Sequence, residues 1–138
     1  MPNQPANQPR PPVSAKMRKR KRQRAEQAGR LAEWKIRWLL WCKGYRLIHR
    51  RWRCVAGEID LILLRRNLLV FAEVKYRQHG ITDRIITPHQ QQRISKAAAF
   101  FLAKNQRFTT FDCRFDFIAI EPGSRFGFGK ITHIHNAW

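Results

Sequence analysis

The chain has 138 residues, 43% of them hydrophobic and 12% aromatic, which is enough for one domain with a true core and a tail beside it. Its 28 Lys and Arg against nine Asp and Glu give a net charge of +19, which calls for a polyanionic partner, nucleic acid before an anionic membrane surface. No apolar run reaches the roughly 18 residues of a membrane span, and the opening MPNQPANQPRPP lacks the apolar stretch of an export signal, so the expectation is a cytoplasmic protein without a membrane partner.

Residues 1–24 are rich in Pro, Gln and Asn and then run KMRKRKRQR. They hold eight of the basic residues and no acid, with too little apolar surface to offset ordering entropy. They read as a disordered basic tail, with Lys19, Arg20 and Lys21 as contacts to phosphates, ahead of a single domain over 25–138. Ala25 to about Lys43 has helical periodicity, ended by Gly44. Leu31, Trp34, Trp38, Trp41 and Cys42 form one stripe of that helix and are expected to pack; base stacking is the other use of such tryptophans. Ile36, Leu39 and Leu40 make its other faces apolar too, so the helix is expected to be well buried. Glu33 is a carboxylate among apolar neighbours, for which an i,i+4 pair with Arg37 is the plain explanation.

Tyr45–Cys54 is β-prone, and Glu58–Leu64 and Leu68–Tyr76 read as a hairpin around Arg65-Arg66-Asn67. Both hairpin runs are apolar at nearly every position, which predicts a sheet covered on both faces. Thr87-Pro88-His89-Gln90 opens a second helix, with Thr as N-cap, Pro in the first turn and Gln90 completing a capping box. The stripe Ile94, Ala97, Ala98, Phe101, Leu102 carries that helix to about Lys104. A strand within Thr110–Glu121, a turn, and a last strand over Gly129–His135 complete the order α-β-β-β-α-β-β. The expected fold is therefore α/β, a single domain with a central mixed β-sheet flanked by helices. Cys42, Cys54 and Cys113 are odd in number and form no CxxC pair, which argues against a disulfide framework or zinc site. They are expected as reduced, buried structural residues.

The chemistry concentrates in GEIDLILLRRNLLVFAEVKYR, residues 57–77. If Arg66-Asn67 is a two-residue loop, Asp60 lies opposite Glu73 on one face, with Lys75 two residues along on that face. A three-residue loop would put the two acids on opposite faces. Two facing carboxylates in an apolar sheet repel each other and resist desolvation, and a cation offsets that. Oxygen ligands suit Mg²⁺ or Mn²⁺, with Asp60, Glu73 and the main-chain carbonyl of Val74 as ligands. Lys75 would hold or help deprotonate a water and neutralise charge on phosphoryl oxygens. With a basic surface, this constellation points to phosphodiester hydrolysis.

An Asp followed by Glu-x-Lys on the next strand, after a helix with a Glu, resembles the PD-(D/E)XK restriction-endonuclease-like superfamily. More closely, Gly29-x-x-x-Glu33, GEIDLI (57–62), FAEVKYR (71–77) and CRFDFIAI (113–120) resemble the YraN-like family of bacteria, from about Glu26 to the C-terminus. The resemblance implies a nuclease fold similar to Holliday-junction resolvases, with Asp60, Glu73 and Lys75 at catalytic positions. Glu33 matches a helical acid that adds a metal or water contact. Related sequences often carry Lys where this chain has Gln90, so an auxiliary cation from the second helix is in question. Around this set, Glu58 reads as support for the site or as one half of a surface pair with an arginine. Arg77 reads as a phosphate clamp or an ordinary surface arginine, and Gln90 as a secondary member. Asp112 and Asp116 read as structural, and His133 and His135 as sharing one strand face without a third ligand nearby. The expected function is a metal-dependent nuclease on DNA, with a possible homodimer for cutting both strands. The alternatives are a non-catalytic nucleic-acid-binding module on the same fold and a triad that only rigidifies the sheet.

Overall fold

The computed structural model describes residue 17 and residues 34–76, 86–121, 123 and 129–138. Among the described residues, 34–42 are helical and are labelled α1. Three strands follow, β1 (Arg46–Cys54), β2 (Gly57–Arg65) and β3 (Leu68–Tyr76), then α2 (Pro88–Lys104), a 3₁₀ turn (Gln106–Phe108), β4 (Asp112–Ile120) and β5 (Ile131–Ile134). The strands form one sheet in the order β1-β2-β3-β4-β5. Only β3 and β4 run parallel; the other neighbours are antiparallel. A parallel pair needs a crossover, and α2 lies within it. The expected element order and mixed sheet are both present.

The β2–β3 hairpin closes with Arg65 opposite Leu68, so its loop is the two residues Arg66-Asn67. Arg66 takes a left-handed φ of 55°, as a two-residue loop of this kind requires. From there the register runs through Leu64↔Leu69 and Ile62↔Phe71 to Leu61↔Ala72. α2 starts where Thr87 accepts a hydrogen bond from the Gln90 N–H at 3.3 Å, with Pro88 as its first residue. It stops at Asn105, whose N–H bonds the Leu102 carbonyl.

Each face of the sheet is covered by a helix. On one side Ile36 and Leu40 of α1 pack on Leu61, Leu63, Val70 and Ala72. On the other, Ile94, Ala97, Ala98 and Phe101 of α2 pack on Ile62, Leu69 and Phe71. Phe101 meets Phe71 and Trp52 edge-on, with centroids 6.1 and 5.5 Å away. Buried Leu, Ile and Phe side chains of this kind contribute about 1.5–3 kcal/mol each.

Two expectations need correction. Trp34, Trp38 and Trp41 are 60%, 57% and 71% exposed, so they are not core residues. α1 carries two apolar stripes on roughly opposite sides, and the sheet takes the aliphatic one. The cysteines are not all buried either: Cys42 and Cys113 are exposed and Cys54 is intermediate, all three being free thiols. Cys113 stands at the open end of β4, where the strand has not yet entered the core. The tail expected at residues 1–24 lies outside the described residues, Met17 apart. No helix among the described residues is long and apolar enough to cross a membrane.

Candidate active site

The ladders are interrupted on both sides of Asp60. Between β1 and β2 the pairing passes from Arg50↔Leu61 to Trp52↔Ile59 and skips Arg51 and Asp60. Between β2 and β3 it ends at Leu61↔Ala72. Arg51 has a left-handed φ of 48°, an uncommon conformation for a side-chain-bearing residue inside a strand. The interruption breaks the alternation of β2: Leu61 packs toward α1, while both Ile59 and Ile62 pack toward α2. Freed from the ladder, the Asp60 side chain takes a rung of its own, its Oδ2 accepting the Val74 N–H at 2.8 Å. A carboxylate offers about four acceptor positions, so this bond leaves Oδ1 for another partner.

Glu73, the next site residue on β3, is only 6% exposed. Its Oε1 accepts from Lys75 Nζ at 2.6 Å and from Gln90 Nε2 at 2.5 Å. Burial raises the Glu73 pKa above its usual 4.5; Lys75 pulls it down, and the facing Asp60 carboxylate pushes it up again. The sign follows. Above 4.5 the folded chain holds this proton more tightly than the unfolded chain, so ionising Glu73 lowers stability as pH rises through that window. Burial therefore makes the charged form of Glu73 costly, a cost that a nearby cation lowers. Asp60 and Glu73 share a cleft of about 310 Å³ with Arg51, Glu58, Gln90 and Arg93. An open cleft with two carboxylates, one of them paired with Lys75, fits a hard divalent cation bound through oxygen.

The observed register is the one that a two-residue loop predicts, and Asp60, Glu73 and Lys75 come together as expected. Val74 differs in part. Its N–H holds Asp60, and its carbonyl points along the same edge of the strand, as both groups of a paired strand residue do. Gln90 needs the larger correction. Its main-chain N–H is capped by Thr87, but its side chain does not turn back to complete a capping box; it reaches across to Glu73. Gln90 is thus a site residue, held by the first turn of α2. Glu58 forms the surface pair, accepting from Arg53 Nε at 2.8 Å, and also lines the cleft. Glu33, Arg77, Lys19, Arg20 and Lys21 lie outside the described residues.

A second polar cluster was only half visible in the sequence. Asp116 is fully buried; Arg114 grips both its oxygens at 2.7 and 2.8 Å, His133 Nε2 lies 2.8 Å from Oδ2, and the Asn136 N–H donates to Oδ1 at 3.0 Å. Arg114 also donates to the Tyr45 hydroxyl. The expectation that His133 and His135 have no third ligand nearby is corrected: Asp116 brings its carboxylate within 4.8 Å of both. Strand alternation in β4 could not reveal this, because it depends on how β5 registers on β4. The Arg114 guanidinium already neutralises Asp116 and would repel a metal ion, so the cluster fits a structural role, fastening β5 and the last turn to β4. The arginines Arg51 and Arg93 were also missed; among 28 basic residues nothing in the sequence marks them.

A family model described as "Uncharacterised protein family UPF0102" matches residues 32–120, which hold Asp60, Glu73, Lys75 and Gln90. A UPF0102 protein of Ehrlichia chaffeensis is 38% identical over 112 residues, 80% of this chain and 85% of its own length. One of Pseudomonas putida is 36% identical over 115 residues, 80% and 91% of the two chains. One of Rhodopseudomonas palustris is 42% identical over 100 residues, 71% and 77%.

Proposed function

Since this chain belongs to the uncharacterised protein family UPF0102, its activity has to be read from the site, and we infer that it is a divalent-metal-dependent phosphodiester hydrolase acting on nucleic acid, DNA before RNA. One observation carries this reading: the Asp60 and Glu73 carboxylates meet at a break in the sheet, with Lys75 2.6 Å from Glu73. The mixed sheet between two helices is compatible with the restriction-endonuclease-like arrangement that the motif implies, although fold alone does not fix function.

Asp60 and Glu73 would hold a Mg²⁺ or Mn²⁺ ion, with the Val74 carbonyl beside them. Such an ion, when bound, polarises a phosphoryl oxygen and lowers the pKa of a water. The chain's own residues do the rest. The Val74 N–H fixes the Asp60 carboxylate, and Gln90 fixes Glu73. Lys75, 39% exposed, holds its ammonium group against Glu73, from where it orients a water and stabilises negative charge developing on the phosphate. Arg51 and Arg93 line the same cleft and attract the polyanion. Symmetric cutting of two strands would be served by a two-fold dimer.

A second reading is a nucleic-acid-binding module that keeps the site without cutting. It is favoured by Glu73 Oε1 accepting from Gln90 and Lys75 at once, which satisfies that oxygen without a metal. Thermal unfolding with Mn²⁺ separates the two. Binding at a hundredfold excess over Kd adds about 2.7 kcal/mol, a rise of roughly 5–10 °C for a chain of this size. We expect that rise in the wild type and not in Asp60→Asn, which keeps an acceptor for Val74. An equal rise in both proteins, or none in either, would count against the metal site.

A further inference from the structure

The tryptophans of α1 remain unused by this site. Trp34, Trp38 and Trp41 lie at i, i+4 and i+7, so they form one stripe, and each is more than half exposed. Exposed patches of large aromatics mark interaction surfaces. These three line a groove of about 430 Å³ together with Arg37 and Arg46. Arg37 and Leu61 also line a smaller depression of about 100 Å³, whose floor includes Asp60. Asp60 in turn lines the cleft that holds Glu73. The tryptophan groove and the smaller depression thus adjoin through Arg37 and Leu61, and Arg51 and Asp60 line both the depression and the Glu73 cleft.

The chemistry changes from one depression to the next: rings and guanidinium groups line the α1 groove, and among the described lining residues of the two the carboxylate is Asp60. We propose that the α1 tryptophans are a stacking platform for the unpaired bases of a single nucleic-acid strand, whose backbone passes Arg37 toward Asp60 and Glu73. This rests on the hydrolase reading and names its substrate class. Bases in a duplex are hidden in their own stack, whereas splayed bases can lie on indole rings while phosphates meet arginine. A second copy of the chain is a poorer occupant, because each copy carries +19 and would bring Arg37 and Arg46 against other basic surface. An anionic membrane is poorer too, because the groove is concave and leads to a chemical site.

The test uses the purified chain bearing Asp60→Asn, in EDTA, so that nothing is cut. Its probes are a labelled oligothymidine of about 20 nucleotides and a 20-base-pair duplex, sized to span several stacking contacts. Trp38→Ala should weaken oligothymidine binding about tenfold and quench less tryptophan fluorescence, while duplex binding stays within about twofold. Trp38→Phe, which keeps a stacking ring, should recover most of the loss. Matching melting curves will show that the exposed substitutions leave the fold intact. Equal loss on both probes, or no loss on oligothymidine, overturns the proposal, and so does a Trp38→Ala defect confined to self-association or to anionic vesicles. Because cleavage is not read, a negative result here leaves the hydrolase reading standing, and an inactive site would leave this binding standing.

Discussion

Asp116 and Glu73 are buried carboxylates in adjacent strands, and their surroundings drive them in opposite directions. Burial alone would raise both. At Asp116, hydrogen bonds from His133, Arg114 and the Asn136 N–H outweigh it and hold the pKa near 2, against a usual 3.8. At Glu73, burial and the facing Asp60 prevail over Lys75. The first carboxylate is held as an ion by the fold; the charged form of the second is disfavoured where it faces Asp60, as at a site that takes up a cation. Because the Asp116 pKa is depressed in the folded state, its contribution is fully present above 3.8 and is lost as pH falls through about 2. That shift corresponds to about 2 kcal/mol. In urea unfolding followed between those pH values, the stability gap between wild type and Asp116→Asn should shrink by about that amount. A gap that does not depend on pH would mean that Asp116 is not held as an ion by these partners.

At the scale of elements, the hairpin was legible because its chemistry is local, though its loop length stayed open between two and three residues until the Arg65↔Leu68 pair fixed it. Arg66-Asn67 sets the loop length, the loop sets the register, and the register brings Asp60 to Glu73. The two helices and the covered sheet were legible for the same reason, from periodicity and capping. What could not be read depends on long-range packing. The sheet chose Ile36 and Leu40 over the tryptophans of the same helix. Gln90 left its own N-terminal turn for a carboxylate on β3. Asp116 acquired His133 through the β4–β5 pairing. The connection that permits this last pairing has a strict steric demand. The Glu121 N–H bonds the Lys130 carbonyl at 2.9 Å, and a Cβ at Gly129 would lie 1.9 Å from the Glu121 carbonyl oxygen. Gly129→Ala should therefore push β5 off β4 and destabilise the chain by about 1–3 kcal/mol in denaturant unfolding. A neutral substitution would show that this connection yields without disturbing the strands.

Over the whole molecule, the distribution of charge and of apolar surface tells one story. A chain with 28 basic and nine acidic residues places two of its few carboxylates and a lysine at a single break in the sheet. Depressions lined by arginines lie at that break and beside the aromatic stripe on α1. A basic surface draws in a polyanion at any sequence, so binding alone would not distinguish a cutting site from a silent one. Cleavage distinguishes them. The direct measurement is turnover of single-stranded, duplex and four-way DNA by the purified chain, with Mn²⁺ or Mg²⁺ and with EDTA, for wild type and Lys75→Ala. The wild type should show metal-dependent cleavage, slowed about a hundredfold or more in Lys75→Ala, with DNA binding retained. Equal cleavage by Lys75→Ala, or intact binding with no cleavage of any of the three substrates by the wild type, would contradict the hydrolase reading.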